Sequence, residues 1–289
     1  MRGELAEPTA LRRAVRGMDV VFHLAADYRL AGRAPGRMHT TNVDGTTRVL
    51  RAAADAGVER IIYTSSAVTV RCPHGGKTAA AGTEEDFVEP HECRGVYQLT
   101  KVVAEQVAWR MIGEGAPITI VNPSTAIGPG DRRPTPTGRL IVEYLKGHVP
   151  AFLDAEVNVV HVDDVARGHW LAATRGESGR RYILANENLS LGRFFEILSE
   201  VSGRPAPRLR IPYVVAFASG IAGTAWSRVV GGEPLASLDG VRMARIPMRY
   251  DSGRARRELG LRQTPIRTAM EEAVAWFEGP AFGNAGRRR

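Results

Sequence analysis

Tyr97 and Lys101 stand four residues apart in the stretch Tyr97-Gln98-Leu99-Thr100-Lys101. On a helix this spacing sets both side chains on one face, one turn from each other. A phenol with its ordinary pKa of about 10 needs help to pass protons near neutral pH, and an ammonium one turn away favours the phenolate. A helix is expected here. Leu99, Val102, Val103 and Val107 recur at helical spacing, and Gly113 and Gly115 before Pro117 offer a stop. The competing reading is a chance pair on a helix surface. Only Lys77, Lys101 and Lys146 are lysines, beside seven tyrosines, so a chance Tyr-x-x-x-Lys is expected roughly 0.07 times.

Upstream, Arg60-Ile61-Ile62-Tyr63-Thr64-Ser65-Ser66 reads as a short apolar strand ending in hydroxyls. A hydroxyl there can hydrogen-bond a substrate oxygen beside the tyrosine, although serines at strand ends are usually turn formers.

The elements that must position these groups alternate. Thr9 can cap a short helix, Ala10 to Arg16, closed by Gly17. A buried strand follows over Asp19–Leu24, then Ala25-Ala26. A helix is expected from Met38 to Ala56, then the Arg60–Thr64 strand, a long loop, the Tyr97 helix, and a strand over Ile118–Val121 broken by Asn122-Pro123. Such alternation implies a parallel sheet with crossover helices. Past Pro123 the character changes. Gly128 to Pro136 reads as loop, Gly138–Gly147 as helix, and Val157–His161 as a strand running into Asp163, an N-cap for a helix through Ala173. Arg181–Leu184 is a further strand. The rest to Phe277 is mostly helical, with a short extended piece at Leu209–Ile211, and Gly279–Arg289 reads as a frayed tail.

The fold class expected is therefore α/β: a Rossmann-like parallel sheet with flanking helices, plus a smaller, mostly helical C-terminal substrate region. The expected division is 1–122 with 155–186 for the dinucleotide-binding part, 123–154 with 187–278 for the substrate part, and 279–289 as a disordered tail. At 289 residues the chain can bury a large core. Its 44% hydrophobic and 24% charged residues are those of an ordinary globular protein. The net charge of +8 raises a nucleic-acid or anionic-membrane partner. The arginines are scattered among Glu and Asp, however, and the dense cluster is the tail Arg287-Arg288-Arg289, so no nucleic acid is expected. The longest apolar run, Val214 to Trp226, is short of the roughly 18 residues a membrane span needs. Cys72 and Cys93 lack metal-ligand spacing and indicate no disulfide framework, so no metal is expected. With no signal peptide in view, the expected location is cytoplasmic.

Strand, Ser-Ser, loop and then Tyr-x-x-x-Lys on a helix resembles the catalytic arrangement of the short-chain dehydrogenase/reductase superfamily, in its extended branch of NAD-dependent epimerase/dehydratases. Further stretches match that branch in order. Gly3-Glu4-Leu5 looks like its Gly-Asp-Leu, which lies against the adenine ring. His23-Leu24-Ala25-Ala26 is similar to its His-x-Ala-Ala, and Thr41-Asn42-Val43-Asp44-Gly45-Thr46 to its Asn-Val-x-Gly-Thr helix signature. Asn122-Pro123 resembles the turn beside the nicotinamide, and His161-Val162-Asp163-Asp164 a recurrent strand–helix junction of structural rather than chemical weight. Together they cover almost the whole chain. A narrower resemblance, through Ala25–Leu30, Asn122–Thr125 and Pro134–Arg139, is to the hopanoid-associated sugar epimerases, themselves similar to dihydroflavonol 4-reductases.

The resemblance implies an NAD- or NADP-dependent enzyme acting on a small molecule, either a sugar or a hydroxy/carbonyl compound. Its catalytic set would be Ser66, Tyr97 and Lys101. Cofactor contacts would come from Glu4, Leu5, Leu24, Ala25, Ala26, Asn42, Thr64, Tyr97, Lys101 and Pro123. A homodimer is compatible with it. Epimerase and reductase use the same three side chains and stay open as alternatives. A non-catalytic remnant that lost cofactor binding is the third reading, because the chain lacks the branch's opening strand and Gly-x-x-Gly-x-x-Gly turn, whose backbone and helix N-terminus hold the pyrophosphate. Roughly fifty residues of the pattern are missing, a βαβ unit alone taking about 30. The expectation is an N-terminally truncated domain with weak cofactor binding.

Overall fold

The computed structural model describes residues 3–28, 35–73, 80–230, 238–280 and 282. Lys77, the Arg29-Leu30 end of the narrower motif, and most of the expected tail lie outside the described residues.

The main sheet has four parallel strands, β1 (Val20–His23), β2 (Arg60–Thr64), β3 (Ile118–Pro123) and β7 (Arg181–Leu184), in that spatial order. The registers are even: His23 lies opposite Tyr63, and Thr64 opposite Val121. Helices α1 (Pro8–Val15), α3 (Thr46–Asp55) and α4 (Val96–Gly113) cover one face, and α6 (Val162–Arg175) covers the other. The β2 residues show why. Ile61, Ile62 and Tyr63 are 0%, 0% and 1% exposed. Ile61 and Tyr63 pack with α3 and α4, while Ile62 packs with α6. A strand buried on both faces is apolar throughout rather than alternating, and each such side chain contributes about 1.5–3 kcal/mol.

Edge strand β1 differs. Val20, Phe22 and Leu24 share one face of it by period-two geometry and are 37%, 40% and 56% exposed.

The expected Met38–Ala56 helix is three pieces: α2 (Pro35–His39), a π-helical stretch Thr40–Gly45, and α3. The widened π turn is a common local device at functional positions, and it carries Asn42 to a buried place. The first helix starts at Pro8 with Glu7 as cap rather than Thr9, because proline is tolerated where the N–H has no helical partner. Gly17 closes it at φ +69°. Strand β3 runs through Asn122-Pro123 instead of stopping at Val121, since Asn122 and Pro123 still pair with Ile183 and Leu184.

The C-terminal part holds α5 (Pro136–Leu145), α7 (Leu191–Ser202) and α10 (Ile266–Glu278) around an aromatic core of Tyr144, Phe152, Phe194, Phe195 and Phe277. It also carries short strands that the reading from sequence did not contain. These are β4 (Thr125–Ile127), β5 (Ala151–Leu153) and β8 (Glu187–Ser190), at or below the shortest length at which periodicity gives a signal. Strand β6 (Glu156–His161), expected in the first unit, pairs with β4 and β8 in a second sheet. β5 pairs with β9 (Leu209–Ile211). Helices α8 (Tyr213–Val230) and α9 (Leu238–Met243) pack together. Among the described residues no helix is long and apolar enough to cross a membrane.

The cap of α6 is His161, whose Nδ1 accepts from the Asp163 N–H at 3.0 Å. Asp163 is not the cap. Its neighbour Asp164 is buried and accepts from the Thr264 N–H and hydroxyl, fastening α6 to the C-terminal part.

Candidate active site

The C-terminal ends of β1, β2 and β3 deliver Leu24–Ala26, Thr64–Ser66 and Asn122-Pro123 to one end of the sheet, where open α/β sheets bind ligands. Helix α4 brings Tyr97 and Lys101 to the same place. Lys101 Nζ donates to the Thr64 carbonyl at 2.9 Å and lies 5.4 Å from the centre of the Tyr63 ring. The Tyr97 ring packs with Val68, Met243 and Ile246, and the Ser66 hydroxyl acts on its phenol as a hydrogen-bond partner. Ser66 also caps the short 3-10 turn Ala67–Thr69, accepting from the Val68 N–H at 3.4 Å. Thr64, Ser66, Tyr97 and Lys101 are thus brought together.

The electrostatics differ from the expectation in one respect. Burial raises the Tyr97 phenol above its ordinary value, with the Ser66 hydroxyl pulling the other way. The phenol's balance is set by burial and Ser66 rather than by Lys101, and the lysine is itself desolvated. Burial pulls its ammonium down to about 8, while the nearby Glu105 carboxylate acts to raise it.

Helix α4 buries most of the apolar face expected of it, with Val102 inside and Val103 and Val107 packed on the core, but not Leu99. Leu99 is 39% exposed, and Gln98, Thr100, Lys101 and Glu105 are inside. Each has a partner. Gln98 donates to the Val68 carbonyl at 2.9 Å, and Thr100 Oγ1 donates to the Tyr97 carbonyl at 2.9 Å.

Asn42 has its hydrogen bonds taken up by protein. It accepts from the Asp27 N–H at 2.6 Å and donates to the Asp27 carbonyl at 2.8 Å and to Thr100 Oγ1 at 3.1 Å. It therefore braces the Ala25–Asp27 loop against α4. Leu5 lies against Gly45, where an added Cβ would meet its side chain at 3.0 Å, and Glu4 is exposed. Leu24 and Ala25 are exposed; Ala26 and Pro123 are half-buried.

Two groups escaped the reading from sequence. His23, 4% exposed, bonds Thr46 Oγ1 at 2.9 Å, and burial with the Lys101 charge lowers its pKa to about 4. Glu105, one turn beyond Lys101, accepts from five side chains. Its signal was available: Tyr97, Lys101 and Glu105 follow one another at four-residue steps.

A nicotinamide dinucleotide can be tested against these groups. The Lys101 ammonium has three N–H donors, is 3% exposed, and bonds one acceptor, the Thr64 carbonyl, among the described residues. Two buried donors left over fit vicinal ribose hydroxyls. The nicotinamide-ribose end therefore fits. For the pyrophosphate, the 289 residues contain no Gly-x-x-Gly-x-x-Gly turn.

A parallel sheet flanked by helices, with a serine at one strand end beside a Tyr-x-x-x-Lys helix, is the architecture of an extended short-chain dehydrogenase/reductase. Residues 1–185 match the model of the NAD dependent epimerase/dehydratase family. The chain is 37% identical to a putative dihydroflavonol 4-reductase of Synechocystis sp., over 94% of this chain and 80% of that protein. Among solved structures, gox2253 matches with 38% identity and a TM-score of 0.82, over 95% of this chain and 83% of that one. PA4631 of Pseudomonas aeruginosa, described as a nucleoside-diphosphate-sugar epimerase, matches with 25% identity and a TM-score of 0.76, over 97% and 82%. The chain belongs to the NAD dependent epimerase/dehydratase family. It is accordingly an NAD(P)-dependent enzyme of the epimerase and reductase type, with the α/β fold and the cofactor class that the motifs implied.

Proposed function

We propose that the chain catalyses reversible oxidation at a carbinol carbon of a sugar, with epimerisation of that carbon as the net result. NAD or NADP, when bound, takes and returns the hydride. Lys101 holds the nicotinamide ribose and Thr64 fixes Lys101 through its carbonyl. Tyr97 receives the hydroxyl proton as the carbonyl forms and gives it back on return, and Ser66 hydrogen-bonds the same oxygen. Burial raises the phenol, so in the free protein Tyr97 rests as the acid and must give up that proton to solvent before it can receive the substrate's. Leu24, Ala25, Ala26 and Pro123 line the nicotinamide side, Glu4 and Leu5 the adenine side, and Asn42 supports the loop between them. The cofactor part takes residues 1–122 and most of 155–186, and the substrate part 123–154 and 187–278.

The observation that carries the reading is the buried Lys101 ammonium held at the Thr64 carbonyl beside Tyr97 and Ser66. The likeness to a nucleoside-diphosphate-sugar epimerase supports a sugar substrate. The likeness to a dihydroflavonol 4-reductase favours the second reading, a carbonyl reductase. Incubation with saturating cofactor and a panel of nucleotide sugars and aromatic ketones separates them. An epimerase inverts a sugar carbon and leaves the nicotinamide absorbance unchanged, whereas a reductase consumes reduced cofactor. Product formation that survives Tyr97→Phe at the wild-type rate overturns both.

A further inference from the structure

We infer that Glu105 is a positioning residue of the active site: its buried carboxylate fixes the strand ends that carry Ser66 and Asn122 and holds Lys101 as an ammonium. This rests on the reading of Ser66, Tyr97 and Lys101 as the reacting set.

Glu105 is 3% exposed and lies one helical turn beyond Lys101. A carboxylate is acceptor-only and must find donors when buried. Glu105 has five. Oε2 accepts from the Ser65 hydroxyl in a short bond, from Thr69 Oγ1 at 2.6 Å and from Asn122 Nδ2 at 2.8 Å. Oε1 accepts from Arg181 at 2.8 Å and from the Trp109 indole at 3.3 Å. Ser65 precedes Ser66, and Thr69 Oγ1 also lies 2.8 Å from the Ser66 carbonyl, so its single proton is shared between that oxygen and Glu105. Asn122 Nδ2 lies 3.1 Å from that same carbonyl. One carboxylate therefore ties the end of β2, the turn after Ser66, the end of β3 and helix α4 into a single joint.

The charge is built as carefully as the geometry. Arg181, 1% exposed, pairs Glu105 while its other nitrogens donate to the Glu84 and Asp86 carbonyls at 2.7 and 2.9 Å. Its guanidinium lies 3.8 Å from the centre of the Phe87 ring. Arg181 anchors the carboxylate and offsets part of its charge, and Glu105 still favours the Lys101 ammonium against desolvation. The ionisable groups facing Lys101 are His23, neutral near pH 7, the Tyr63 and Tyr97 phenols, both raised, and Glu105. Glu105 is the negative one among them.

Glu105→Gln keeps size and removes the charge, and its amide would set two donors against the Ser65, Thr69 and Asn122 donors. The test reads the Lys101 pKa directly. With three lysines in the chain, ¹³C-labelled lysine gives signals that Lys101→Arg assigns by loss. In Glu105→Gln with the native circular dichroism retained, the Lys101 titration should move down by roughly one unit, a tenfold change in its proton equilibrium. The Ser66 amide resonance should shift with it. A variant that loses the buried charge alone could unfold, so Glu105→Gln/Arg181→Met, which removes both charges, is measured in parallel and should show a lowered titration too, smaller because the lost cation offsets part of the lost anion. An unmoved Lys101 pKa in either folded variant overturns the inference. So does a failure of both variants to fold, which would make Glu105 a residue of the fold and not of the site. Because no substrate or cofactor enters the measurement, its failure is distinct from a failure of the proposed activity, which Tyr97→Phe reads.

Discussion

Lys101 Nζ donates to the Thr64 carbonyl at 2.9 Å, joining α4 to the end of β2 across 37 residues of sequence. The ammonium is buried, and its pKa falls from 10.5 to about 8. Below pH 8 the folded protein carries a desolvated charge that the unfolded chain exposes to water. Between pH 8 and 10.5 the unfolded chain binds more protons, so wild-type stability climbs through that window. Lys101→Met should remove this slope. Below pH 8 it should raise stability by up to about 3 kcal/mol, less the cost of an unpaired Thr64 carbonyl, while abolishing turnover. Urea unfolding at pH 7 and pH 10 checks the first part. Equal slopes in variant and wild type would refute it.

Tyr97→Phe keeps the ring packed on Val68, Met243 and Ile246 and deletes the hydroxyl beside Ser66. Turnover under saturating cofactor should fall on the order of 10²–10⁴-fold, the usual scale of acid–base catalysis. Thermal unfolding should change little.

His23 is buried neutral, its pKa lowered from 6.5 to about 4 by burial first and the Lys101 charge second. The unfolded chain takes its proton near pH 6.5 and the folded one only near pH 4. Stability from this residue is therefore complete above pH 6.5 and is lost as pH falls toward 4, on the order of 3 kcal/mol in all. His23→Gln, which can still bond Thr46 Oγ1, should flatten the unfolding free energy between pH 6.5 and 4. A variant as acid-sensitive as the wild type would contradict this.

The 289 residues present no glycine-rich turn to a pyrophosphate. Charge-assisted bonds from such a turn contribute about 1.5–3 kcal/mol each, so without two of them binding weakens roughly 10²–10⁴-fold. Calorimetric titration of this chain with NAD and NADP should give dissociation constants well above the micromolar range. Micromolar binding would mean that another segment holds the phosphates.

Phe22, 40% exposed, lies with Val20 and Leu24 on the open face of edge strand β1. Exposed apolar edges pair with other chains. The wild-type chain is therefore expected to self-associate in sedimentation velocity, and Phe22→Lys should reduce this at unchanged helix content; a monomeric wild type would refute it. An unchanged distribution would place the association elsewhere.

The order of strands and helices was legible because each element carries its own period. The Arg60–Thr64 and Arg181–Leu184 strands and the Leu209–Ile211 piece fall where the apolar runs put them. Tyr97 and Lys101 were legible because their relation is local, four residues on one helix. The relations that complete the candidate site are not local. Glu105 meets Thr69, Ser65 and Arg181 at separations of 36, 40 and 76 residues. No periodicity records such pairings, and a buried charge can be recognised only once its partners are in place. The same holds for α4, whose apolar pattern pointed Leu99 inward. The strand ends it packs against present backbone carbonyls and hydroxyls, so the polar side chains turned in and Leu99 was left at the surface. The sequence by itself determined which elements form and which two side chains could share a proton. Only the tertiary structure decided which polar groups are desolvated together, because desolvation depends on what the other elements bring.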